Sequence, residues 1–213
     1  MEAGGPGSAD SVLSDLFRES MSQLATGVVM VTCWLDGKPW GLTVSACCSV
    51  SVEPPLLLVS LNRQTASARA INADASFGVS ILGERLIDVA RFGAAKGQPK
   101  FVDRFCRVDE DGEHVAGSPV VAGALAHIHC KVEQQIEAGD HLIYLARVDS
   151  VLLENGDRPL VYYARTYHRL AGSSDLGVGP VADETVDSLL YDYQLPRRFT
   201  ALERAPSIST GSA

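Results

Sequence analysis

Residues 124–153 read ALAHIHCKVEQQIEAGDHLIYLARVDSVLL, two long strand-like runs separated by Gly139-Asp140. In both runs apolar and β-branched residues interleave with polar ones, and the intervening Gly-Asp pair interrupts the pattern as a turn does. Strands joined this tightly are antiparallel, because a parallel partner needs a crossover of a dozen or more residues. The same grammar recurs upstream. Val28, Val29, Val31 and Thr32 open a strand, Asp36-Gly37 signals a hairpin, and a second strand is predicted over 40–51. Glu53-Pro54-Pro55 ends that pairing and turns the chain into a buried strand over 56–61. Helices are predicted from Asp10 or Ser11 up to Gly27, over 65–72 and over 84–92, with a strand over 77–82 and a loop over 93–99. The first helix carries Val12, Leu13, Leu16, Phe17, Met21 and Leu24 on one stripe. Asn155-Gly156 marks another hairpin turn before a strand over 160–164. The fold class is therefore mainly β with helical decoration (α+β), an antiparallel barrel and not a βαβ array.

Composition narrows the function. The chain has 213 residues, 46% hydrophobic and 21% charged, enough for one sizeable core. A net charge of −8 excludes a general nucleic-acid binder, and no apolar run approaches a membrane span. The first ten residues lack a signal-peptide pattern, and the five cysteines show no CxxC spacing. Reduced thiols in a cytoplasmic protein are expected. The expected organisation is a disordered start over 1–10, a barrel domain over 11–170, and a linker, helix and polar tail over 171–213. The tail helix would carry Val186, Leu189, Leu190 and Tyr193 on one face.

No Gly-rich phosphate loop, GxSxG elbow or HExxH pair is present. His127 and His129 share one strand face, which suits a metal or, more simply, a polar face; Cys130 on the other side reads as core. Between Arg63 and Arg104 there are seven basic and four acidic residues, net +3 in an acidic chain. This stretch opens on Asn62-Arg63-Gln64-Thr65-Ala66-Ser67, hydroxyls and backbone N–H groups at a helix start, which suit a phosphate. The segment GLTVSACCSVSVEPPL, residues 41–56, is dense in small residues, so a flat ligand could approach its backbone.

Several of these segments resemble the flavin reductase-like domain family, an FMN-binding split β-barrel. The resemblance runs from Met21 to Leu170 through Ala25-Thr26-Gly27-Val28, GLTVSACCSVSVEPPLLLVSLN, FGVSIL, Lys100-Phe101, Gly139-Asp140-His141 and PLVYYARTYHRL. It implies that Thr43, Val44, Ser45, Ala46 and Cys48 lie along the isoalloxazine edge. Asn62, Thr65 and Ser67 would meet the ribityl-phosphate arm, and Lys100 and Phe101 would approach the phosphate from the far side. His141 would face the nicotinamide nucleotide, with Tyr167 in the same neighbourhood. Cys47 stands where many members carry an aromatic residue; Cys47 and Cys48 read as small packing residues ahead of a redox pair. The resemblance implies NADH- or NADPH-dependent reduction of FMN or FAD, a homodimer, and a separate flavin-dependent monooxygenase that receives the reduced flavin. The alternatives are a flavin carrier or sensor without turnover, and a split barrel adapted to haem or a deazaflavin.

Overall fold

The computed structural model describes residues 9–107, 117–154 and 158–170. Most of the expected disordered start, the Asn155-Gly156 turn, and the linker, helix and tail expected over 171–213 lie outside the described residues. The elements in chain order are α1 (Ala9–Ser22), β1 (Thr26–Gly27), β2 (Val29–Leu35), β3 (Lys38–Val44), β4 (Cys47–Val52), β5 (Pro55–Asn62), α2 (Ala66–Asp74) and β6 (Ser76–Ile81). They continue with α3 (Ile87–Ala94), β7 (Ala126–Ala138), β8 (His141–Leu153), β9 (Leu160–Tyr163) and β10 (Thr166–Arg169).

Seven strands form one antiparallel sheet in the order β3-β2-β6-β7-β8-β5-β4, and β1-β9-β10 form a small second sheet. The two edges of the large sheet, β3 and β4, are consecutive in sequence and joined only by Ser45-Ala46. The sheet must therefore curl until its edges meet at that corner. Among the described residues no ladder links β3 to β4, so the barrel stays split.

This corner corrects the single strand predicted over 40–51. Cys47 N–H turns back onto Ser45 C=O at 3.0 Å, and Ser60 N–H donates to Ala46 C=O at 3.0 Å. Beyond the corner the chain pairs with β5, Cys47 opposite Val59, and not with β2. Small side chains here offer no bulky cross-strand contacts to hold a continuous strand. Three further boundaries differ. The first helix stops at Ser22, because Thr26 and Gly27 pair with Tyr162 and Val161. Gly93 and Ala94 complete α3 instead of opening the loop. β9 pairs with β1 and β10, not with β8, so the strand at 160–164 belongs to the small sheet.

Local chemistry explains the turns that were legible. Asp36 and Gly37 adopt φ 53° and 72°, the two left-handed positions of a type I′ hairpin whose twist suits paired strands. Thr65 caps α2, its hydroxyl accepting from Ala68 N–H at 3.2 Å.

β2 is buried on both faces. Val29, Val31 and Cys33 join the barrel interior with Val59, Phe77 and Tyr144, where α2 contributes Ala68 and Ile71. The Tyr144 hydroxyl reaches Asn72 Oδ1 at 2.8 Å, tying β8 to α2. Met30, with Val28 just before the strand, faces a second core containing Ala90, Val102, Val121 and Leu160. The cavity described below lies beside this second core, which contributes Val28 to its lining.

Candidate active site

A cavity of about 390 Å³ opens where the β3–β4 corner, the end of β5, the start of α2 and the small sheet converge. One wall is Leu42 with the run Thr43, Val44, Ser45 and Ala46. A second is Ser60, Leu61 and Asn62, continued by Thr65. His141, the first residue of β8, sits opposite Asn62 in the β5–β8 register. Tyr162 and Tyr167 close a third side with ring centroids 5.3 Å apart, beside Val28 and Ala94.

Asn62 and Thr65 are held by their own turn. Asn62 Oδ1 accepts from Gln64 N–H at 3.0 Å, and its carbonyl accepts from Thr65 N–H at 3.0 Å and the Thr65 hydroxyl at 2.8 Å. Thr65 thus spends its hydroxyl on its own turn. Burial, then the neighbouring Tyr162, pushes the Tyr167 phenol above its usual range. Thr43 lines the cavity, but its Oγ1 is buried against Gly93 of α3 with no hydrogen-bond partner among the described residues.

Eight of the expected site residues therefore converge: Thr43, Val44, Ser45, Ala46, Asn62, Thr65, His141 and Tyr167. Four do not line the cavity. Ser67 follows Thr65 by two residues, a rotation of about 200° on a helix, which buries it on the interior side near Cys33. Cys48 is exposed on β4, its thiol donating to Ser49 C=O at 3.0 Å. Lys100 and Phe101 run along the outer edge of β3. There the Lys100 carbonyl accepts from Gly41 N–H at 3.0 Å, and Phe101 packs edge-on against Trp40 at 5.0 Å. Partial burial lowers the Lys100 ammonium pKa.

None of the seven basic residues in the net +3 stretch lines the cavity. Arg91 pairs with Asp88, and Arg104 stacks over Phe92 and Phe105. All five cysteines are free, and burial pushes the Cys47 thiol up to about 11, which leaves it a poor nucleophile. His127 and His129 do share a face. It is a buried one, where both rings bond to the Ser118 hydroxyl, at 3.0 and 2.9 Å.

Sequence reasoning missed Ser60 and Tyr162. Ser60 lies two residues before Asn62 on the same strand face, a period-two signal that was available. Tyr162 faces the cavity because β10 places Tyr167 directly opposite it, and that pairing had no local signature.

Residues 21–171 match the flavin reductase like domain. The chain is 39% identical over 172 residues to a flavin reductase (NADH) of Kitasatospora aureofaciens, covering 77% of this chain and 84% of that protein. It is 34% identical over 160 residues to the flavin-dependent monooxygenase reductase subunit HsaB of Rhodococcus jostii (strain RHA1), covering 75% and 79% of the two. The NADH:FAD oxidoreductase SgcE6 of Streptomyces globisporus C-1027, solved with NAD and FAD fragments, superposes with a TM-score of 0.67 at 26% identity, covering 82% of this chain and all of that one. A split barrel with its cavity at the β3–β4 corner, matched over most of its length, makes this chain a member of the flavin reductase-like domain family.

Proposed function

We propose that the protein is an NADH-dependent flavin reductase that supplies reduced FMN or FAD to a separate monooxygenase. The cavity carries this reading. Its lining mixes apolar residues, Leu42, Val44, Ala46 and Ala94, with polar ones, Ser45, Ser60 and Asn62. A flat heteroaromatic ring with one polar edge satisfies both kinds of surface. When bound, the flavin supplies the chemistry by taking a hydride, two electrons and one proton, from the dihydronicotinamide, which leaves oxidised.

The chain's own part is to bind and orient. Thr43, Val44, Ser45 and Ala46 would hold the ring edge, Asn62 and Thr65 the ribityl-phosphate arm, and His141 the nucleotide. Tyr162 and Tyr167 keep water from that side of the cavity. Direct hydride transfer needs aligned partners and no acid–base pair from the protein.

The exposed stripe Val12, Leu13, Leu16, Phe17 and Met21 on α1 supports a homodimer as the working form. The free cysteines suit the reducing cytoplasm.

Purified protein should oxidise NADH only when FMN or FAD is added, followed by the loss of nicotinamide absorbance. His141→Ala should lower kcat/KM for NADH about tenfold while flavin binding persists. The reading fails if no flavin supports NADH oxidation. A second variant tests the ring-edge wall. A Cβ on Gly93 would lie 2.3 Å from Thr43 Oγ1 and 2.6 Å from Met30 Cε. Gly93→Ala should therefore displace Thr43 and weaken flavin binding about tenfold in a fluorescence titration.

A further inference from the structure

Asp140 occupies the turn between β7 and β8, and its carboxylate bridges two residues of the cavity wall. His141 Nδ1 lies 2.7 Å from Oδ1, and Asn62 Nδ2 donates to Oδ2 at 3.4 Å. The main chain makes the same connection, Arg63 N–H donating to Asp140 C=O at 3.0 Å. Because Asn62 and His141 are the last register partners of the β5–β8 ladder, the carboxylate clasps the end of that ladder at the cavity rim.

We propose that Asp140 is a positioning residue for His141, holding the imidazole proton on Nδ1 and leaving Nε2 as a bare acceptor for the nicotinamide nucleotide. A neutral imidazole carries one N–H, so a carboxylate at Nδ1 decides which nitrogen keeps it. The His141 contact also holds the Asp140 carboxyl below the ordinary carboxylate range, so it remains an acceptor. An Nε2 lone pair receives the N–H or O–H donors of a carboxamide or a ribose and offers nothing to a phosphate. Asn62 depends on Asp140 far less, since Gln64 and Thr65 already hold it at shorter distances. The bridge therefore acts mainly on the nucleotide side. This inference rests on the reductase reading of the cavity.

The test compares the unaltered protein with Asp140→Ala and Asp140→Asn. Both changes fall on an exposed side chain, and melting curves check that the fold is retained. Nitrogen NMR of the His141 ring in the ligand-free protein should show Nδ1–H in the unaltered protein and a population with Nε2–H in Asp140→Ala. KM for NADH should rise about tenfold in Asp140→Ala, with kcat and the flavin Kd changed less than about twofold. Nε2–H in the unaltered protein overturns the proposal, as does an unchanged tautomer or an unchanged KM in Asp140→Ala. If the unaltered protein oxidises no NADH with either flavin, the reductase reading falls, and the nucleotide role of Asp140 falls with it. If it turns over normally and only the Asp140 effects are missing, the reductase reading stands and this proposal alone fails.

Discussion

Gly78→Ala is expected to cost about 4 kcal/mol of stability, lowering the melting temperature by about 10 °C. A Cβ at this position in β6 would sit 2.4 Å from His127 Cε1, 2.5 Å from Ser118 Oγ and 2.5 Å from Thr32 Oγ1. None of these atoms can yield cheaply. Thr32 donates to Pro119 C=O at 2.6 Å, and Ser118 is bonded to both His127 and His129. Thr32, Ser118, His127 and His129 are all buried, so a displaced hydroxyl or ring nitrogen would lose its partner without gaining water. Steric overlap and broken hydrogen bonds therefore add. Gly27→Ala is the matched control: its Cβ would meet nothing within 4 Å, and a change within about 0.5 kcal/mol is expected. Denaturant unfolding of both variants decides the matter, and a loss below about 1 kcal/mol for Gly78→Ala would show that the polar cluster is not tightly packed.

The same cluster should make the protein acid-sensitive. One assignment gives every hydrogen of Ser80, His127 and Ser118 an acceptor. Val121 N–H donates to Ser80 Oγ, the Ser80 hydroxyl to His127 Nδ1, His127 Nε2–H to Ser118 Oγ, and the Ser118 hydroxyl to His129 Nδ1. The opposite direction leaves the Ser80 hydroxyl hydrogen without an acceptor among the described residues. His127 is therefore neutral and fully used. Burial, with a smaller contribution from His129, lowers its pKa from 6.5 to about 4.

Between those two values the unfolded chain binds the proton and the folded protein does not, so stability rises with pH across that window. The contribution is complete above 6.5 and is lost as the pH falls through 4. It amounts to about 3 kcal/mol, or roughly 10 °C in melting temperature. His129 is depressed in the same direction by burial, opposed by Asp149. Melting curves from pH 7 to pH 4 should fall more steeply for the unaltered protein than for His127→Gln, which cannot titrate. Parallel curves would show that His127 is not held neutral by the fold.

The resemblance carried by 41–62, by Gly139-Asp140-His141 and by the barrel's last strands was legible as text, and the cavity collects most of the residues it named. Lys100 and Phe101 were named with equal ease, yet they lie along the outer edge of β3. A motif records which residues occur together and says nothing about which side of a strand they occupy. Ser67 shows the same limit within a single helix turn.

What the sequence determined by itself was local. Asp36-Gly37 and Gly139-Asp140 specify tight antiparallel turns because left-handed backbone is open to those residues at little cost. Thr65 specifies the start of α2 because its hydroxyl can reach a free N–H three residues on. The tertiary structure alone decided that the chain breaks at Ser45-Ala46 and sends β3 and β4 to opposite edges, that Tyr162 faces Tyr167 across the cavity, and that Ser118 joins His127 and His129 in a buried cluster. These outcomes rest on strand pairing and burial between segments far apart in the chain. Periodicity of two shows that a strand has two faces, and only the curled sheet decides which face is core, which is cavity and which is solvent.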